Sequence, residues 1–78
     1  MTTTFEQVQQ IVVDQLGVDP DLVHDGADLV QDLGADSLDV VQIVLDAEDK
    51  FNIEIPDETA SEVTTVSDLV ALVDKTKG

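Results

Sequence analysis

A chain of 78 residues has room for one small core and none for an enclosed catalytic cleft. Eighteen Asp and Glu against three Lys and Arg give a formal net charge of −15. This argues against nucleic acid or an anionic membrane as a direct partner, because neutralising phosphates needs clustered cations, and it favours a basic protein surface. Hydrophobic residues still make up 42% of the chain, more than an acidic disordered tail carries, so the chain is expected to fold.

The first segment sets Phe5, Val8, Ile11, Val12 and Leu16 at helical spacing, with Thr residues before it as N-caps and Gly17 just past it. This predicts a first helix near 4 to 16. From Gly17 to Asp36, Gly, Asp and Pro20 are scattered among Leu22-Val23, Leu29-Val30 and Leu33, as in a long connection whose apolar residues pin it to the helices. A second helix is predicted from Ser37 to Lys50 or Phe51, with no Gly or Pro inside it. Ile53 and Ile55 alternate too briefly for a sheet, and Pro56 opens a short third helix near Asp57 to Glu62. A last helix, capped by Ser67 or Thr65, turns Val66, Leu69, Val70 and Val73 inward and brings Lys75 and Lys77 to its negative end. The fold class is therefore all-α: a small four-helix bundle, three main helices plus one short helix, with a long first loop. No repeat, low-complexity stretch or composition shift interrupts residues 1–78, which are expected to form one domain.

With no Cys, the chain has no disulfide framework, thiolate metal site or redox chemistry of its own. The amino terminus lacks the cationic and apolar regions of a secretory signal, and no apolar run approaches the ~20 residues of a membrane span. A soluble cytoplasmic protein without membrane insertion is expected, and it is expected to be a monomer. Phe5 and Phe51 as the sole aromatics make base stacking improbable.

The second helix carries two apolar stripes. Advancing ~100° per residue from Ser37 puts Val40, Ile43, Val44, Ala47 and Phe51 on one arc, the core face. Leu38, Val41 and Leu45 fall on another, flanked by Glu48, Asp49 and Gln42. A small bundle needs one stripe, so the second is either covered by the long loop or left for a partner, with the acidic residues as a rim that steers a basic surface. Ser37 lies between the stripes at the first turn. Either Asp36 or Ser37 is an N-cap with no chemistry attached, or the Ser37 hydroxyl accepts a phosphate-containing group, whose charge a helix amino terminus favours.

The run Asp32-Leu33-Gly34-Ala35-Asp36-Ser37-Leu38-Asp39 and its continuation through Val44 resemble the phosphopantetheine attachment motif of acyl carrier proteins. Gln15-Leu16-Gly17-Val18, Phe51, Ile55-Pro56-Asp57-Glu58 and Thr64-Thr65-Val66 extend the resemblance over nearly the whole chain, and it is greatest to the discrete carriers of type II fatty acid synthesis. The resemblance implies a carrier, not an enzyme, in which Ser37 is esterified by 4′-phosphopantetheine from coenzyme A through a Mg²⁺-dependent phosphopantetheinyl transferase (holo-acyl-carrier-protein synthase). Acyl groups then ride on the thiol of that arm, which makes the missing Cys intelligible. The implied partners are fatty acid synthesis enzymes with basic docking patches: malonyl transferase, ketosynthases, ketoreductase, dehydratase, enoyl reductase and acyltransferases. The implied partner face comprises Asp36, Leu38, Asp39, Val41, Gln42, Leu45, Glu48 and Asp49. The implied acyl pocket comprises Val40, Ile43, Ala47, Phe51, Ile55, Ala60, Val63 and Leu69.

Two positions depart from the family pattern. Gln42 stands where Glu is frequent, removing one charge from the recognition face, and Asp46-Ala47 replaces an Ala-Leu pair, which is expected to enlarge the acyl cavity. Three other readings are weaker. A calcium loop at Asp21, Asp25, Gly26 and Asp32 fails at Val23 and at Asp32, where an EF-hand needs a bidentate Glu, so no metal site is expected. His24 has no second His or Cys for zinc. Ser37 and His24 lack a nucleophile-elbow sequence. The alternative functions are a carrier for a polyketide or other specialised acyl pathway and, more remotely, an acidic inhibitor or nucleic-acid mimic.

Overall fold

The structure, a computed structural model, describes residues 3–77, apart from the side chains of Asp57 and Lys77. Helix α1 spans Thr4–Leu16, α2 Ser37–Phe51, α3 Asp57–Ala60 and α4 Val66–Lys77; no strand forms among the described residues. Local signals start and stop these helices. Thr3 caps α1 through a reciprocal pair with Glu6, its hydroxyl accepting from the Glu6 N–H at 3.1 Å. Gly17, at φ 67°, ends the helix in the left-handed conformation that only Gly adopts cheaply. The same reciprocal geometry opens α4. The Asp68 N–H donates to Thr65 Oγ1 at 3.1 Å and the Thr65 N–H to Asp68 Oδ2 at 3.1 Å, so Thr65 rather than Ser67 is the cap.

Helix α1 packs on both α2 and α4, and α2 on α4. Val8 and Val12 of α1, Ile43 and Ala47 of α2, and Val66, Leu69 and Val73 of α4 meet in one apolar centre and have no exposed surface. Among the described residues no polar side chain is buried. At one end, the Thr4 hydroxyl donates to Asp74 Oδ1 at 2.8 Å, tying the start of α1 to the last turns of α4.

The long loop from Gly17 to Asp36 is more ordered than the sequence predicts. It contains a 3₁₀ turn at Pro20–Leu22, capped by Asp19. Gln9 of α1 holds that turn by donating to the carbonyls of Pro20 at 2.8 Å and Val23 at 3.2 Å. Further on, the N–H groups of Leu29, Val66 and Ser67 donate to the carbonyls of Thr64, Ala27 and Asp25, around an isolated antiparallel bridge between Asp28 and Thr65. The apolar pairs divide: Val23 and Leu29 are buried while Leu22 and Val30 are half-open to solvent. Helix α3 stops at Ala60, short of the expected Glu62. The Ser61 hydroxyl donates back to the Glu58 carbonyl at 2.8 Å and the next bonds close tighter i to i−3 turns, from Glu62 to Thr59 and Val63 to Ala60.

Candidate functional site

The chain approaches α2 through Leu33 and Ala35, both buried, on either side of Gly34 at φ 76°. The left-handed turn at Gly34 reverses the backbone, and Asp36 then caps the helix. Asp36 Oδ1 accepts from the Asp39 N–H at 2.8 Å, and Asp39 Oδ2 accepts from the Asp36 N–H at 3.3 Å. Asp36 thus decides the competition over the cap and leaves Ser37 as the first helical residue. The Ser37 side chain is exposed and makes no hydrogen bond among the described residues. Its hydroxyl sits beside the first-turn N–H groups that lack intrahelical acceptors and carry the positive end of the helix dipole.

Ser37 also opens an apolar groove of about 660 Å³. One wall is a single stripe of α2: Ser37, Val40, Val41, Val44, Leu45 and Glu48, at helical intervals of three and four. The facing wall comes from Ile55, Ala60, Ser61 and Val63, and Val30 of the long loop stands at the side. Taking Ser37 as zero and ~100° per residue, the stripe is centred on the angular position of Ser37 itself, between the two apolar arcs and overlapping both.

That position sorts the residues expected to form an acyl pocket. Val40, Ile55, Ala60 and Val63 line the groove. Ile43, Ala47 and Leu69 lie in the core and do not line it, because the arc of Ile43 and Ala47 is rotated away from the groove toward α1 and α4. Phe51 is half-buried against the core, beyond the lining residues. The Ala47 methyl therefore alters core packing in this structure rather than the groove wall. Val30, Val44 and Ser61 are additional lining residues. Val44 has a signal in the sequence, since position i+7 from Ser37 lies almost on its line, whereas Val30 and Ser61 arrive from other elements.

The second stripe is open: Leu38 is 78% exposed, Val41 52% and Leu45 50%. The long loop does not cover it. The polar residues assigned to its rim have different duties. Asp36 and Asp39 make the cap, and Asp39 is half-buried, turned toward α1, where Gln15 Nε2 lies 3.5 Å from its Oδ1. Gln42 donates to Asp46 at 2.9 Å. Glu48 is half-buried and accepts the Ile55 N–H at 3.0 Å. Asp49 is exposed and has no side-chain hydrogen bond among the described residues. His24 is exposed on the loop.

An uncommitted hydroxyl on a helix amino terminus, beside an apolar groove and an apolar ridge, is suited to tethering a phosphate-linked group and handing it to other proteins. Two comparisons agree with that class of protein. Residues 6–73 match the family model described as the phosphopantetheine attachment site. The acyl carrier protein of Wolinella succinogenes is 49% identical over 73 residues, covering 94% of this chain and 96% of that protein. The acyl carrier protein of Zymomonas mobilis subsp. mobilis is 44% identical over 77 residues, covering 99% of both. The chain belongs to the phosphopantetheine-attachment family and, within it, to the acyl carrier proteins. It is a carrier of acyl groups on covalent 4′-phosphopantetheine and not a catalyst.

Proposed function

We propose that Ser37 Oγ is the atom that bears the 4′-phosphopantetheine, that the groove beside it shelters the cargo, and that the Leu38-Val41-Leu45 ridge docks the enzymes that act on it. The observation that carries this reading is the Ser37 hydroxyl, left without a partner by the Asp36 cap and placed in the lining of the groove. On transfer, Oγ forms a bond to the phosphorus of coenzyme A that bears the pantetheine, and adenosine 3′,5′-bisphosphate leaves. The hydroxyl proton passes to a base on the transferase. The prosthetic group supplies a thiol that forms thioesters, while the chain orients the arm and excludes water from the apolar part of the load.

The pathway that fits is discrete, type II fatty acid synthesis in the cytoplasm, with one chain of 78 residues acting as a single carrier domain and as a monomer. Its partners are a phosphopantetheinyl transferase and the synthase enzymes, each presenting a basic patch to the ridge. Resemblance over nearly the whole length of two acyl carrier proteins supports this choice, as does an acidic surface suited to basic docking sites.

Incubation with coenzyme A, Mg²⁺ and a broad-specificity phosphopantetheinyl transferase, followed by intact mass measurement, tests the assignment. The protein is expected to gain one phosphopantetheinyl group and Ser37→Ala none. An unchanged mass, or a gain that survives Ser37→Ala, overturns it.

A further inference from the structure

Among the described residues the groove has one charged lining residue, Glu48, and it stands at the end opposite Ser37. Glu48 lies eleven positions beyond Ser37 on α2, roughly 16 Å at the rise of an α-helix. Glu48 also organises the turn that leads to the facing wall. Its backbone carbonyl accepts the N–H groups of Asn52 and Ile53, and its carboxylate reaches across to the N–H of Ile55, itself a lining residue, at 3.0 Å. Asn52 takes the left-handed conformation at φ 55°, so the chain reverses sharply beneath this anchor. The two walls are therefore joined by a side-chain-to-backbone bond at the far end of the groove.

We propose that Glu48 is the end-stop of the groove and sets the length of acyl chain that it shelters. This rests on the reading that cargo tethered at Ser37 occupies the groove. An apolar chain advancing from the Ser37 end meets walls that are apolar apart from Ser61, whose hydroxyl is already bonded to the Glu58 carbonyl, until it reaches the carboxylate. Going further requires stripping Glu48 of water and of its Ile55 partner, leaving a charged acceptor and a backbone donor unpaired against hydrocarbon. Shorter chains fit without disturbing the bond, whereas longer ones either break it or leave their ends outside. Glu48 is thus a specificity-determining residue, and its half-burial and bond to Ile55 separate it from the exposed Asp49 next to it.

The test loads the holo-protein with saturated acyl chains from butyryl to palmitoyl, in wild type, Glu48→Ala and Glu48→Gln. Two signals are followed by NMR: the methyl shifts of Val40 and Val63, which report cargo in the groove, and hydrogen exchange of the Ile55 amide. Thioester cleavage by hydroxylamine reports shelter. In wild type, short chains shift the methyls and leave Ile55 protected; beyond a threshold length, Ile55 exchange rises on the order of ten-fold and thioester protection stops improving. Glu48→Ala is expected to exchange Ile55 rapidly at every length and to extend protection to longer chains. Glu48→Gln, which retains an acceptor oxygen, is expected to restore slow exchange and a threshold near that of wild type. A threshold unmoved by Glu48→Ala, with the methyl shifts present, overturns the end-stop and leaves the sheltering groove standing. Absent methyl shifts at every chain length overturn the sheltering reading itself, and the end-stop with it.

Discussion

The Ser37 hydroxyl is uncommitted because its neighbour does the structural work. A Ser at a helix start ordinarily spends its hydroxyl on an orphan N–H; here Asp36 holds the Asp39 N–H at 2.8 Å, and the return bond from Asp39 completes a box made of two acids. Two carboxylates so close repel, but each accepts a backbone N–H and both lie at the positive end of the helix, which offsets the repulsion. Replacing Asp36 by Ala is expected to lower stability by about 1 kcal/mol, seen by circular dichroism as a Tm lower by about 4–8 °C for a domain of this size. Asp36→Asn removes the same charge but keeps a capping oxygen, so it should retain most of the stability. Equal losses in the two variants would show that the cap does not hold the helix start.

At the level of elements, α2 presents three faces: a core face with Ile43 and Ala47, a groove face centred on Ser37, and an open ridge of Leu38, Val41 and Leu45. Among the acidic residues assigned to the ridge, Asp49 is the cleanest probe of steering, because it is exposed and has no side-chain hydrogen bond among the described residues. Charge reversal at Asp39 or Glu48 disturbs the helix cap or the Ile55 anchor as well. Asp49→Lys is expected to slow loading by a basic transferase several-fold at low salt with little change in Tm, and the difference should shrink as salt is added. Identical loading rates at low salt would remove Asp49 from the docking face. The same contrast explains what could be read from the chain beforehand. Helices α1 and α2 were legible because their apolar spacing, caps and terminal Gly17 are local. So was the second apolar stripe of Leu38, Val41 and Leu45, since it follows from periodicity; that the long loop leaves it open was not, because the path of the loop is not a local property. The bridge from Asp28 to Thr65 was not legible, because it depends on the backbone of a segment far along the chain. Nor was the groove, since α2, the turn after it, the α3 region and the long loop all contribute to its lining. The double duties of Asp39 and Glu48 were hidden for the same reason: their charge was visible and their acceptors' partners were not.

For the whole molecule, a net charge of −15 is confined within extents of 30 × 28 × 19 Å. The radius of gyration, 11.0 Å, is close to the ~11.5 Å of a compact chain of this length, so the apolar core prevails over the repulsion without dispelling it. At low ionic strength, near 0.01 M, the screening length is about 30 Å and each carboxylate acts on nearly every other; near 0.1 M it falls to about 10 Å and only neighbours count. The unfolded chain spreads the same charges farther apart, so added salt relieves the folded state more. Salt should then act with opposite signs on two properties of one protein. Raising NaCl across that range is expected to increase Tm by several degrees, on the scale of about 4–8 °C per kcal/mol of relieved repulsion, while slowing association with a basic partner that relies on attraction across solvent. Thermal denaturation and stopped-flow loading on the same samples provide both signs. A Tm that is flat or falls with salt would mean that the carboxylates are already compensated in the fold, and a loading rate insensitive to salt would assign docking to the apolar ridge alone.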